Sequence, residues 1–162
     1  MRNSRCGFSL IEMAVVLAVL ILLAAMIVPT IGPLRRQGRM RVGAATVAEA
    51  LRLARSLAIA HSSVYKLDFE TFADPHRPDE VRIYSGTGDR NRYDRLEKLP
   101  EAVRFKVALP PDGTVCFYPD GSCPGNFTIR IQDAGTAGAQ KDQRTIEVKA
   151  ASGRVSVSGG AR

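Results

Sequence analysis

The residues of this chain that could do chemistry are few and widely spaced. Six residues separate Cys116 from Cys123 in the run Cys-Phe-Tyr-Pro-Asp-Gly-Ser-Cys, so the two thiols could close a local turn or remain small core residues. A zinc site is disfavoured because only two thiols are close in sequence and the lone histidines, His61 and His76, lie far from them. The sequence contains no nucleophile elbow, His-Glu-x-x-His motif or phosphate-binding loop. We therefore expect no enzymatic activity, no metal and no cofactor.

Glu12 is the most unusual titratable residue because it interrupts a long apolar segment. Residues 13–28 are all apolar, and within residues 8–28 only Ser9 and Glu12 are polar. At ~1.5 Å per residue, a helix over this segment would be ~31 Å long, about one hydrocarbon thickness. The sequence therefore predicts a transmembrane helix over residues 8–28. A cleaved secretory signal is a poorer fit, because no Ala-x-Ala site follows at a natural distance.

The residues around Glu12 resemble a known processing signal. The run Gly-Phe-Ser-Leu-Ile-Glu over residues 7–12, behind a short basic leader, is similar to the class III signal of type IV prepilins and type II secretion pseudopilins. The resemblance implies that a prepilin peptidase cleaves between Gly7 and Phe8 and methylates the new terminal amine of Phe8. It also implies that Glu12 sets the register of filament assembly by neutralising the amine of a neighbouring subunit, and that Pro29 kinks the helix.

Beyond the apolar segment, a second helical pattern follows. Apolar residues recur at alternating spacings of four and three, which is typical of one face of an amphipathic helix. The members of this stripe are Met40, Ala44, Val47, Leu51, Ala54 and Ala58. We therefore predict four segments: a leader peptide (1–7), a transmembrane or filament-core helix (8–28), an amphipathic helical spine (29–62) and a β domain (63–162).

From residue 64 onward the hydrophobic period changes to two, which is typical of antiparallel strands. Six or seven short strands are predicted, with charged loops at residues 70–80 and 86–95. The strand segments are 64–69, 81–84, 103–107, 115–118, 127–131, 146–148 and 154–157. The predicted fold class is α+β, type IV pilin-like: one long N-terminal helix, half transmembrane and half amphipathic, packed on a C-terminal antiparallel β domain.

The β region is similar to the C-terminal domain of the GspH/FimT group of minor pilins and pseudopilins, through Phe117–Gly121, Ile146–Val148 and Gly153–Val155. The resemblance implies a single-pass protein of the bacterial inner membrane, with its β domain in the periplasm or outside. It implies a subunit that joins other pilins in a type II secretion pseudopilus or type IV pilus, acting in filament initiation, at the tip and in protein secretion. In that oxidising compartment we expect a disulfide between Cys116 and Cys123.

The charge balance keeps a second function open. Lys and Arg number 23 against 16 Asp and Glu, giving a formal net charge of +7. A basic excess attracts DNA through its phosphates, with a steep salt dependence. Some members of the family bind DNA through a Gly-Arg-x-Arg stretch, which here reads Gly-Arg-Val-Ser over residues 153–156. The alternative is therefore a DNA-binding minor pilin of an uptake pilus, with Arg154 and Arg162 as contacts. In the secretion role, the expected partner is instead a secreted cargo.

Overall fold

The computed structural model describes residues 9–74, 76–86, 93–106, 113–134 and 143–159. Within these residues one long helix precedes eight strands. They are α1 (Leu10–Ala60), β1 (Tyr65–Glu70), β2 (Glu80–Ser85), β3 (Arg95–Lys98), β4 (Val103–Lys106), β5 (Thr114–Phe117), β6 (Phe127–Asp133), β7 (Gln143–Val148) and β8 (Val155–Ser158). The chain divides into two compact units, residues 1–36 and residues 37–162.

Helix α1 ends in a hydrogen-bonded cap two residues before the predicted boundary. Ser62 adopts a left-handed conformation with φ of 49°. Its N–H donates to the carbonyl of Ile59 at 3.3 Å, and the N–H of Ser63 donates to the carbonyl of Ala58 at 3.2 Å. This pair of bonds is a Schellman motif, which satisfies carbonyls that the helix leaves without partners. The motif turns the chain away from the helix and into β1.

The helix continues through Pro29 without a break. A proline removes one backbone donor, so a helix can remain continuous around it when its other hydrogen bonds are kept. The predicted kink at Pro29 stays a prediction.

The amphipathic stripe of α1 is confirmed as the face that builds the core of the β-containing unit. Its six members are at most 2 % exposed, and they join one cluster with residues of both sheets. Gly43 allows a close approach on this face, because a β-carbon there would lie 2.9 Å from Cγ1 of Val103. Full burial of a side chain such as Leu51 contributes about 1.5–3 kcal/mol. The helix stripe is therefore a main stabilising element of this unit.

Sheet A consists of four antiparallel strands in the order β3-β2-β1-β5. Its inner side carries Leu67, which lies opposite both Ile83 and Val115, and all three side chains are fully buried. The alternating residues form its outer side. The predicted strands in this region are confirmed as β1, β2 and β5.

Strand β3, at one edge of sheet A, was missed by the sequence pattern, which predicted a charged loop ending at residue 95. Arg95 lies opposite Ile83 and Glu97 lies opposite Val81, so both charged residues occupy the inner side of the sheet. Nε of Arg95 contacts Oε1 of Glu97 at 2.7 Å. The strand forms because β2 supplies its hydrogen bonds. It was missed because its residues, Arg-Leu-Glu-Lys, show little hydrophobic alternation.

Sheet B also consists of four antiparallel strands, in the order β4-β6-β7-β8. Ile129 lies opposite Ile146 on its inner side, and both are fully buried. Because side chains alternate along a strand, the residues between these positions lie on the outer side of sheet B. The outer side is polar, as the strand alternation predicted.

Candidate functional site

The start of α1 exposes a carboxylate within an apolar surface. Glu12 lies in the first helical turn, where the positive end of the helix dipole favours a negative charge. The large apolar side chains around it are exposed in every direction, with Leu10 at 91 % and Ile11 at 73 %. An apolar helix of this kind requires apolar surroundings to cover it. This part of the helix can associate with other apolar surfaces. In such an association Glu12 would need a cationic partner.

The predicted processing site lies next to this surface. Gly7 and Phe8 are outside the described residues, so the cleavage and methylation positions stay predictions. The transmembrane span predicted over residues 8–28 is not confirmed, since no helix within the described ranges is both long and apolar enough to cross a membrane.

The structure shows no bond between Cys116 and Cys123, and the disulfide predicted between them stays a prediction. Cys116 lies on the outer side of sheet A, because its neighbours Val115 and Phe117 point into the core. Cys123 belongs to the buried core, and its Sγ donates to the carbonyl oxygen of Cys116 at 2.9 Å. Burial raises the pKa of Cys123 to about 11, so this thiol stays protonated near neutral pH. The two side chains therefore occupy different surroundings, although their backbones are close.

Both histidines form hydrogen bonds with residues close to them in sequence. Nδ1 of His61 lies 2.6 Å from the hydroxyl of Tyr65, whose pKa is raised by burial and then by the charge of Asp94. The backbone N–H of His76 donates to Oδ1 of Asp74 at 2.9 Å. In the described part of the chain, no group of three or more His, Cys, Asp or Glu side chains is arranged to hold a metal ion.

A buried ion pair that the sequence analysis did not predict joins the two sheets. Asp79 is 1 % exposed, and its Oδ1 lies 2.8 Å from Nη1 of Arg104 in β4. Asp79 also accepts hydrogen bonds from the backbone N–H groups of Phe72 at 3.2 Å and Phe105 at 2.8 Å. Arg104 in turn donates to the carbonyl oxygens of Asp74, at 2.9 Å, and Arg77. One carboxylate and one guanidinium thus fix the β1–β2 loop to sheet B, in a structural role.

Two glycine turns pack together beside Arg55 of α1. Nε of Arg55 donates to the carbonyl oxygen of Gly121 at 3.1 Å. Gly153 has φ of 56°, and a β-carbon there would collide with the same carbonyl oxygen. Gly121 has φ of 76°, and a β-carbon there would lie 2.9 Å from Cδ1 of Ile59, so both turns require glycine.

Of the two predicted DNA contacts, the structure describes one. Arg154 follows Gly153 directly and has an exposed side chain. Its carbonyl oxygen accepts a hydrogen bond from the N–H of Lys149 at 3.1 Å, which extends the pairing of β7 and β8 by one position. Arg162 lies outside the described residues. The prediction that these two residues contact DNA stays a prediction.

Comparisons with known proteins agree with this arrangement. Residues 2–28 match the prokaryotic N-terminal methylation motif. No curated protein matches the chain in sequence. Among solved structures, the type IV minor pilin FimU of Pseudomonas aeruginosa is 16 % identical, with a TM-score of 0.58 over 77 % of this chain and 93 % of that one. A second crystal form of FimU gives 16 % identity and a TM-score of 0.55, over 75 % of this chain and 96 % of that one.

The minor pseudopilin EpsH from the type 2 secretion system of Vibrio cholerae is 14 % identical, with a TM-score of 0.49 over 75 % of this chain and 97 % of that one. The chain thus combines the N-terminal methylation motif of type IV pilins with an α+β, type IV pilin-like fold. The predicted resemblance to type IV pilins and the predicted α+β fold class are confirmed.

Proposed function

We propose that this chain is a minor pilin or pseudopilin, a non-catalytic subunit of a type IV pilus or a type II secretion pseudopilus. A prepilin peptidase removes residues 1–7 and methylates the amine of Phe8. Residues 8–28 anchor the subunit in the inner membrane before assembly and then enter the filament core. The β domain remains outside the cytoplasm, where the subunit acts in initiation or at the tip of the filament.

The observation that carries this proposal is the single carboxylate within the exposed apolar start of α1. The match of residues 2–28 to the methylation motif supports the same role. Inside a filament, the apolar side chains are covered by other helices, and a charge buried there is tolerable only when it is paired. The carboxylate of Glu12 then pairs with the cationic amine of Phe8 of a neighbouring subunit. The cost of leaving either charge unpaired selects one register of the helices.

The test removes the charge of Glu12 while keeping the size of its side chain. Glu12→Gln is expected to leave processing intact and to reduce the amount of subunit in sheared filaments at least tenfold. Glu49→Gln is the matched control, because Glu49 is an exposed glutamate later on the same helix. Mass spectrometry of the processed chain should show an N-terminal methylated Phe8.

Incorporation of Glu12→Gln at the level of the control would contradict the role of this carboxylate in register. A chain that retains residues 1–7 in a strain with active prepilin peptidase would contradict the proposal as a whole. The two systems are separated by deleting the gene: loss of secreted proteins with pili intact indicates the pseudopilus, and the reverse indicates the pilus.

A further inference from the structure

The two sheets have four edge strands within the described residues, namely β3, β4, β5 and β8. The outward-facing backbone groups of an edge strand have no partner in their own sheet, and they can pair with a strand of another polypeptide. Folded proteins prevent such pairing by covering an edge or by placing charges or prolines along it. An edge that lacks these features is open to a partner strand.

The edges of β4 and β5 are covered by the chain itself. At β4, the backbone N–H of Phe105 donates to Oδ2 of Asp79 at 2.8 Å. At β5, the carbonyl oxygen of Cys116 accepts a hydrogen bond from Sγ of Cys123 at 2.9 Å. Strand β3 instead carries two charged side chains on its inner side.

Strand β8 has none of these features within the described residues. Its sequence is Val-Ser-Val-Ser, without charge or proline. The N–H of Lys149 donates to the carbonyl oxygen of Arg154, and hydrogen-bonded pairs alternate along an antiparallel ladder, so every second residue from Arg154 directs its backbone groups toward β7. The N–H and C=O groups of Val155 and Val157 therefore point to the free edge, where no described residue forms a hydrogen bond with them.

The side chains of the same two valines favour an apolar partner strand. Val157 lies opposite the fully buried Ile146, so it belongs to the inner side of sheet B together with Val155. Val157 is nevertheless 41 % exposed, and in the described part of the chain no strand lies beyond β8. A strand that pairs with β8 and carries apolar residues on its inner side would continue the core over Val157.

The charges beside β8 favour an acidic partner. Arg154 precedes the strand with an exposed side chain, and Lys149 lies opposite it. Neither forms an ion pair within the described residues. Like charges directly opposite each other destabilise a sheet, and a carboxylate on the outer side of an incoming strand would offset this. A second copy of β8 offers no carboxylate, since Arg154 is the single charged residue between Gly153 and Gly159.

We propose that β8 binds an extended segment of another protein, which adds to sheet B as a further antiparallel strand. The segment carries apolar residues opposite Val155 and Val157 and a carboxylate opposite Arg154. Its backbone pairs with the free N–H and C=O groups of the two valines, while its side chains provide the specificity. The proposal goes beyond the filament role, because it concerns the edge of sheet B and not the apolar start of α1.

The test uses the full chain in a non-ionic detergent and the fluorescently labelled peptide acetyl-Thr-Val-Thr-Val-Glu-Thr-amide. Paired antiparallel to β8, the peptide places its valines opposite Val157 and Val155 and its glutamate opposite Arg154. A peptide methylated on both valine nitrogens loses the donors that face β8, so its affinity should fall at least about tenfold. The matched control carries the same methyl groups on the nitrogens of its first two threonines, which point away from β8, and should bind like the parent peptide.

Amide hydrogen exchange locates the bound peptide on the chain. The N–H groups of Val155 and Val157 should exchange more slowly with peptide bound, because they gain acceptors. The N–H groups of Leu96 and Lys98 face the free edge of β3, and their exchange should not change.

A substitution in β8 gives the matching result from the side of the protein. Val157→Pro removes an N–H that faces the free edge and leaves the pairing with β7 intact, so it should weaken peptide binding about fivefold. Val157→Thr retains the N–H and the branched shape and is the matched control.

Equal loss of affinity on methylation of the valine and of the threonine nitrogens would overturn strand pairing. Equal binding of a peptide with lysine in place of its glutamate would overturn the assignment of an acidic partner. No detectable binding at about 1 mM peptide would overturn the proposal as a whole. Self-association of the chain that Val157→Pro abolishes, without peptide binding, would overturn it in favour of a second copy as the occupant.

Discussion

Replacing Asp79 by Ala should destabilise the β-containing unit far more than removing an exposed carboxylate. Asp79 is 1 % exposed, and its partner Arg104 has a side chain that is 13 % exposed. Breaking a buried ion pair costs about 3–5 kcal/mol, and the N–H of Phe105 loses its acceptor as well, at about 1–3 kcal/mol. Arg104 keeps two loop carbonyls as acceptors, which offsets part of this sum. We expect a net loss of about 3–5 kcal/mol.

The measurement is urea unfolding of the full chain in a non-ionic detergent, with the change in free energy taken from the shift in midpoint at constant slope. Glu70→Ala is the matched control, because Glu70 contacts Arg82 but its side chain is 40 % exposed. An exposed pair of this kind contributes about 0–1 kcal/mol. Amide hydrogen exchange should increase at residues 71–79 in Asp79→Ala, because that loop loses its connection to β4.

A double variant separates the unpaired charge from the lost hydrogen bonds. Asp79→Ala/Arg104→Met removes the cation that the single variant leaves buried, so it should be more stable than Asp79→Ala alone. A cost for Asp79→Ala no larger than that of Glu70→Ala would refute the assignment of this ion pair as the connection between the sheets.

Two further predictions concern the thiols and the glycine turns. At pH 8 iodoacetamide should modify Cys116 and leave Cys123 largely unmodified in the folded chain, since the pKa of Cys123 is raised to about 11; equal labelling of both, quantified by mass spectrometry, would contradict the burial described for Cys123. Gly153→Ala should cost about 2–4 kcal/mol in urea unfolding, from left-handed strain plus the collision with Gly121. Gly38→Ala is its control, because a β-carbon at Gly38 meets open space on the helix and should stabilise it by about 0.5–1 kcal/mol.

The parts of the fold that follow from periodicity could be predicted from the sequence. The stripe from Met40 to Ala58 has a helical period, and every member of it is buried. The strand alternation around Leu67 and Ile129 placed those residues in the core. Local turn chemistry was also informative, since Gly121 and Gly153 both adopt positive φ. These features depend on neighbours within a few residues.

The parts that depend on distant neighbours could not be predicted in this way. The pair formed by Asp79 and Arg104 joins residues 25 positions apart, and neither has a local signal that identifies the other. Arg130 and Lys106 lie directly opposite each other on β6 and β4, and the net charge alone did not predict this pairing because it depends on strand order and register. Cys116 lies on the outer side of sheet A and Cys123 lies in the core, a difference that the short spacing between the two cysteines does not reveal.

The charged inner side of β3 also has a consequence for copies of the chain at high concentration. A strand at the border of a sheet offers unpaired backbone groups to any other strand, which is a route to aggregation. Here the strand has only four residues, and Arg95 and Glu97 point toward the inner side. A second strand docking there would have to desolvate this ion pair as part of a shared core. Two copies of the chain would therefore gain little by continuing one sheet into the next through β3.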